Sequence, residues 1–237
     1  NVQLTYQNKV DNQLAEIDLQ ELLLELPMAD LKNQEVKLEL FSLKNSSILF
    51  HDFSIPSTNT AAESDSSSVP FTWPEWVVKA KQIRLIKNQI EFKTSETDFQ
   101  KGFFNPEAIR ITKLTADLSD LMLENKSAKA QVNSFQFEEA SGFSLDEFSL
   151  SLAIDDRETS IENLNLAINR SALTVDRKLT YNSITELIQH PELIGFDLNL
   201  KAPKLAVQDA YYFLPELAQD TLLQKLEAYP FSAELVV

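Results

Sequence analysis

The chain has 237 residues, with 21 Lys plus Arg against 36 Asp plus Glu, a formal net charge of -15. Acidity of that size disfavours nucleic acid, which is held mainly by basic side chains, and disfavours adhesion to an anionic membrane surface. Cysteine is absent, which excludes a disulfide framework, a thiol nucleophile and a thiolate metal site but fixes no compartment.

Residues 1–55 read as a strand-rich segment. Val2, Leu4 and Tyr6 alternate, as do Ala15, Ile17 and Leu19, and period two is the strand signal because successive side chains point to opposite faces. A step of three then separates Leu19 from Leu22 before Leu24 and Leu26. Leu19, Leu22, Leu23 and Leu26 also satisfy helical spacing, so a helix is the rival reading there, and Pro27 ends the run on either. Val36, Leu38, Leu40 and Leu43 make the next strand; Ile48 and Phe50, with Ile55 as an optional third, make another. Residues 56–70, PSTNTAAESDSSSVP, carry no apolar period and read as a disordered Ser-rich loop.

The central meander, residues 71–181, opens on Trp73-Pro74-Glu75-Trp76 and a strand in Val78, Ile83, Leu85, Ile90 and Phe92. One pattern then recurs: an apolar residue followed by others three, five and seven positions on. Ile111, Leu114, Ala116 and Leu118 fit it, as do Leu145, Phe148, Leu150 and Leu152, and Ile161, Leu164, Leu166 and Ile168. Val132, Phe135 and Phe137 fit a shortened form. One extra residue would flip every later side chain to the wrong face unless a bulge absorbs it. Bulges also bend strands, so the pattern predicts a curved sheet with one apolar face. Ser149, Ser151, Asn163, Asn165 and Asn169 fall between the apolar positions and suit a wetted face. Breaks at 124–127, 140–142 and 155–158 read as turns. With Gly only 3 in 237, those turns must be mostly Asn, Asp and Ser types.

Residues 182–237 change character. Ser183-Ile184-Thr185-Glu186 has capping-box spacing and Pro191 stops the short helix that follows. Leu193, Phe196, Leu198 and Leu200 repeat the strand pattern. Asp209 is a candidate N-cap for 210–214, and Pro215 begins a second helical piece through about Leu226. Phe231–Val237 reads as a strand that breaks off in mid-alternation, as though cut from a longer chain.

Little here suits catalysis. His51, taken as a strand-edge residue, and His190, at a helix end, lack metal-ligand spacing. No G-x-S-x-G turn or Gly-rich phosphate loop occurs. The run Asp155-Asp156-Arg157-Glu158 lacks the Gly and spacing of a calcium loop and reads as a hairpin turn. No catalytic, cofactor-binding or metal residue is assigned. Three N-x-S sequons, at Asn45, Asn125 and Asn169, matter only in a eukaryotic secretory setting. Trp73 and Trp76 would either plug the sheet or stack against a carbohydrate.

Trp73-Pro74-Glu75-Trp76 with the strand IRLIKNQIEF, Phe104-Asn105-Pro106, Ser141-Gly142-Phe143-Ser144-Leu145, TSIENLNLAINRSAL, and Asp209 to Leu217 follow one another along the chain. By these phrases, from Trp73 to Leu217, the chain resembles the TamB-type translocation-and-assembly-module proteins of the AsmA-like superfamily, in their Bacteroidota form. FSLKNSSILF, within 1–55, fits more loosely. The resemblance implies an all-β fold with a few short helices: a long curved antiparallel sheet forming a U-shaped, apolar-lined trough. It further implies a periplasmic bridge that shields phospholipid acyl chains between two membranes. An inner-membrane helix and a meeting with an Omp85-type outer-membrane barrel would both lie outside this segment. The groove-lining residues would be Ile111, Leu114, Leu118, Val132, Phe135, Phe137, Leu145, Phe148, Leu150, Leu152, Ile161, Leu164, Leu166 and Ile168. Periodicity alone leaves open an ordinary sandwich core. Strand addition to outer-membrane polypeptides, and a carbohydrate-binding or adhesin module, are the other functional readings.

Overall fold

The computed structural model describes residues 1–10, 12–53, 72–189, 195–229 and 231–236. Fourteen strands make one open, curved sheet. They are β1 Val2–Asn8, β2 Gln13–Leu19, β3 Glu21–Glu25, β4 Met28–Asp30, β5 Glu35–Lys44, β6 Ser47–Asp52, β7 Val77–Lys93, β8 Ala108–Glu124, β9 Ser127–Glu139, β10 Ser144–Asp155, β11 Glu158–Ile168, β12 Ser171–Thr180, β13 Gly195–Leu205 and β14 Phe231–Val236. Their order is β1-β2-β6-β7 and then β8 to β14 in sequence, with β3 and β4 paired to β5 and β5 to β7. The sheet therefore runs through all three strand-bearing segments of the sequence without a break. Residues 56–70, Ile55, His190, Pro191 and Leu193 lie outside the described residues.

Several features differ from the sequence reading. The sheet is not antiparallel throughout, because β5 and β6 both run parallel to β7. The connection 53–76 returns the chain to the start of β7, and parallel pairing needs such a long crossover. Asp209 is also not an N-cap. It sits inside α2, Val207–Ala210, whose cap position is Ala206. Its buried carboxylate accepts from the Arg170 amide at 3.1 Å in the β11–β12 turn, a tertiary use that displaces capping. The predicted second helical piece is split into a 3-10 turn, Pro215–Gln219, and α3, Thr221–Leu226. Asp220 caps α3 through the Leu222 and Leu223 amides. The short helix expected after Ser183 is present as α1, Ile184–Gln189. The 19–26 run is strand, with β3 paired to β5, so the helical alternative is excluded.

The steps of three are bulges. Lys113, at φ 55, is the extra residue of β8 between the pairs Thr112↔Glu138 and Thr115↔Gln136. Asn163, at φ 53, does the same in β11 between Ile161 and Leu164. Asn133 is the extra residue of β9, and β10 shifts between Leu145 and Glu147. The step at Leu19–Leu22 is the break between β2 and β3 at Gln20.

The interruptions at Gln20, Ser46, Asn88 and Lys113 line up across neighbouring strands, whereas Asn133 and Asn163 fall in a second row beside Leu118 and Leu150. The Gln20 amide donates to Ser46 Oγ at 3.1 Å, and the Ser46 amide donates to Asn88 Oδ1 at 2.9 Å. Asn88 Nδ2 in turn donates to the Leu43 carbonyl at 2.9 Å. Asn88, only 3% exposed, thus satisfies the backbone groups that the interruption would strand. Lys87 beside it has φ 53. The first row runs across β2/β3, β5/β6, β7 and β8 and bends them at neighbouring positions.

Turn chemistry replaces glycine as the composition demands. The β8–β9 hairpin turns on Asn125 and Lys126, both at positive φ (50 and 58), as a two-residue primed turn requires. Asp155 Oδ1 holds the β10–β11 turn through the Arg157 and Glu158 amides. All three sequon asparagines, Asn45, Asn125 and Asn169, sit at positive φ, so a left-handed turn accounts for each.

Candidate functional site

Strand pairing brings the fourteen singled-out apolar residues onto one face, because residues opposite each other in a ladder share a face. Leu145 pairs with Ile168, Phe148 with Leu166 and Leu152 with Ile161 across β10–β11. Leu145 pairs with Phe137 and Leu150 with Val132 across β9–β10. Val132 then pairs with Leu118, and Phe135 with Ala116. The bulges carry Ile111, Leu114 and Leu164 onto the same face. Phe135 meets Phe137 and Phe148 edge-on, with centroids 5.9 and 6.4 Å apart.

Leu114 and Leu145 are buried, yet the other twelve are only half-buried although they occupy the middle of the sheet. Among the described residues no large side chain is fully buried and every strand belongs to the same sheet. What shields most of them is their neighbours on the face, with α2 and the turn after it beside Leu166 and Ile168, and not a second sheet laid over them.

The opposite face is polar. Asn165 donates to Ser149, Ser151 to Gln131, and Asn133 to Ser119. Lys113–Glu138 and Lys178–Glu158 pair across strands at 2.6 and 2.8 Å.

The apolar face is wider than the sequence reading drew it. Ile83, Leu85 and Ile90 pair with Leu118, Ala116 and Ile111, and Phe92 stacks on Phe50 at 5.9 Å. Leu173 and Val175 continue it opposite Leu166 and Leu164. A further bulge at Asp120, φ 54, lies between Leu118 and Leu121, a step of three that could have been read from the same pattern.

One end of the face carries an aromatic cluster. Phe143 touches Phe104, Phe137, Tyr212 and Phe213 at centroid distances of 5.4 to 6.0 Å, and Phe104 stacks on Phe213 at 5.6 Å. The Phe104 amide donates to the Tyr212 carbonyl, and Tyr212 Oη to the Gly142 carbonyl. Gly142, at φ 97, gives that turn a conformation other residues rarely adopt. The β7–β8 connection grips both faces here. Phe104 joins the cluster on the apolar side, while Phe99 lies under Lys93 and Arg110 on the polar side, 4.5 and 4.0 Å from the cations.

That polar patch holds the chain's one described histidine. His51 is in β6, an interior strand paired with β2 and β7, and not at a sheet edge. Its Nε2 lies 3.0 Å from Glu91 Oε1, and Arg110 Nε donates to Glu91 Oε2 at 2.7 Å. Burial disfavours charge on Glu91, but the Arg110 and His51 hydrogen bonds outweigh it and hold the carboxyl below its ordinary value. With both carboxylate oxygens engaged and a ring packed over Arg110, the arrangement anchors the connection and offers no free base.

At the other end, Trp73 Nε1 donates to Asp156 at 3.3 Å, so the first tryptophan bridges from β7 to the β10–β11 turn. Trp73 is half-buried and Trp76 is 36% exposed. Both line a cavity of about 590 Å³ with Asn125, Lys126 and the start of α1. Tyr181 closes the same end, with its hydroxyl bonded to Thr159 and the Asp155 carbonyl.

Among the described residues, no three His, Asp or Glu side chains are grouped to hold a metal ion, and no helix is long and apolar enough to cross a membrane. No protein-family model, curated protein or solved structure matches the chain.

Proposed function

We propose that the protein is a non-enzymatic lipid carrier whose apolar face shelters the acyl chains of phospholipid, as a segment of a periplasmic bridge between two membranes. The observation that supports this reading is the fourteen-residue face at the centre of an open sheet, half-buried and without an opposing layer. Sheltering an acyl chain needs no catalytic group, only continuous apolar surface at roughly 25 cal/mol per Å² removed from water. The polar opposite face and the net charge of -15 keep the outside wetted and repel anionic surfaces. In this reading a membrane anchor and an outer-membrane barrel partner act through parts of a longer protein.

The test is site-specific photo-crosslinking to phospholipid vesicles from Leu150 and Leu166, with Ser151 and Asn165 as controls on the polar face. Lipid adducts should form at the first pair and not at the second. Leu150→Asp should leave a soluble, folded chain that has lost lipid, because water reaches an open face. Equal labelling of both faces, or global unfolding with no lipid ever captured, would sink the proposal.

A second reading, strand addition to an unfolded outer-membrane polypeptide, is favoured by the sheet edges. Among the described residues β1 and β14 each pair on one side only, and Val2, Leu4 and Tyr6 stand exposed on β1. Proline at Thr5 should abolish such capture and leave lipid labelling intact.

A further inference from the structure

Helix α2 and the turn after it form a roof over part of the apolar face. Under it lies a recess of about 230 Å³ between β11, β12, the end of β13 and α2. Its walls include Leu166, Ile168, Leu173, Leu205, Ala210 and Phe213. Only two polar side chains reach it, and both are spoken for. Asp209 accepts the Arg170 amide, and Ser171 Oγ accepts the Ala206 amide at 2.9 Å. The rest of the lining is apolar.

Phe213 forms part of the wall and is 56% exposed even though it stacks on Phe104 and meets Phe143 edge-on. An apolar cavity of roughly 150 Å³ stays dry and takes a six-carbon ring, so this recess has room for about eight carbons of an alkyl chain.

We infer that the recess under α2 is the seat of the methyl end of an acyl chain whose remaining length lies along the apolar face. This rests on the lipid-carrying reading and adds a direction to it: chain end at α2, headgroup away from it. The recess discriminates by chemistry, since a polar group entering would trade water for walls that are mostly aliphatic and aromatic. The aromatic cluster beyond it, from Phe143 to Phe104, forms a stop that prevents the chain from sliding further.

The experiment uses two phosphatidylethanolamines, one with a diazirine on the terminal carbon of one acyl chain and one with it at mid-chain, incorporated into vesicles and mixed with the full chain. After irradiation, labelled peptides are mapped by mass spectrometry. The terminal label should fall on Leu173, Leu205, Ala210 or Phe213, and the mid-chain label on Phe135, Phe148 or Leu150. Ala210→Trp fills the recess and Phe213→Ala removes its wall. Either variant, once shown folded by its unfolding midpoint, should lower terminal labelling at α2 by about tenfold while mid-chain labelling persists. Terminal label spread evenly along the face, or unchanged in both variants, overturns the seat and leaves the lipid reading standing. Mid-chain label concentrated in the recess overturns the direction. No adduct from either probe overturns both.

Discussion

The centre of the sheet and its β1–β3 margin are written in the same alternating code, yet they treat an apolar side chain differently. Phe148 and Leu150, flanked by strands on both sides, are half-buried by neighbours such as Phe135, Leu166 and Val132. Leu4 and Tyr6, with one neighbouring strand, are 56% and 58% exposed. In a two-layer protein, burial is set mainly by the opposing layer, and margin and centre differ less. Over Phe148 and Leu150 lateral neighbours supply the shielding, so the contribution of each such residue should follow its position across the sheet.

The largest expected effect lies in the central bulge band. Asn88→Leu keeps the volume but strands the Ser46 amide and the Leu43 carbonyl, and should cost about 3 kcal/mol in urea unfolding. A cost below 1 kcal/mol would show that water replaces both bonds and that the band is not dry. Next comes the direct contrast. Phe148→Ala should cost about 2 kcal/mol, less than a fully enclosed Phe would, and Leu4→Ala under 0.5 kcal/mol. Equal losses would break the comparison.

Glu91 tests the polar side at the same width of the sheet. Its folded-state carboxyl is held below the ordinary value, so it binds fewer protons folded than unfolded. The stability it adds is complete above the unfolded glutamate value, near 4.5, and is lost as pH falls through the lower, folded one. Glu91→Gln should cost roughly 1–2 kcal/mol at pH 7 and flatten the acid limb of the stability profile. An unchanged acid limb would contradict the pairing with Arg110 and His51. One substitution should act with the opposite sign. Lys87 is exposed and held at φ 53, so Lys87→Gly should stabilise by about 0.5–1 kcal/mol, and a loss would mean that the bulge is not strained.

Much of this architecture was legible in the sequence because it is local. A step of three has one economical explanation in a strand, and Lys113 and Asn163 supply it. The turn at Asp155 was readable for the same reason. What escaped reading depends on partners distant in sequence. Nothing in β5 or β6 says that the neighbour will be β7 and parallel. Asp209 has the residue type and position of a cap, but the Arg170 amide claims its carboxylate. The aromatic cluster gathers Phe104, Phe143 and Phe213 from three separate segments, and no spacing announces that. The occupant of the face was not legible either, because periodicity gives an apolar surface and says nothing of what meets it.

The band of bulges has a mechanical consequence. A regular ladder resists bending because every residue is tied to both neighbours, whereas a bulge interrupts the ladder and here hands its backbone groups to the side chains of Ser46, Asn88 and Thr115. When such residues fall side by side across β2/β3, β5/β6, β7 and β8, each long strand becomes two stiff panels joined along a common crease. The panels can open and close about that crease without breaking a ladder, and the width of the space between them becomes the sheet's soft coordinate. Amide hydrogen exchange would draw the crease directly, as a stripe of early-exchanging positions around Gln20, Asn45, Lys87 and Lys113 between slowly exchanging flanks.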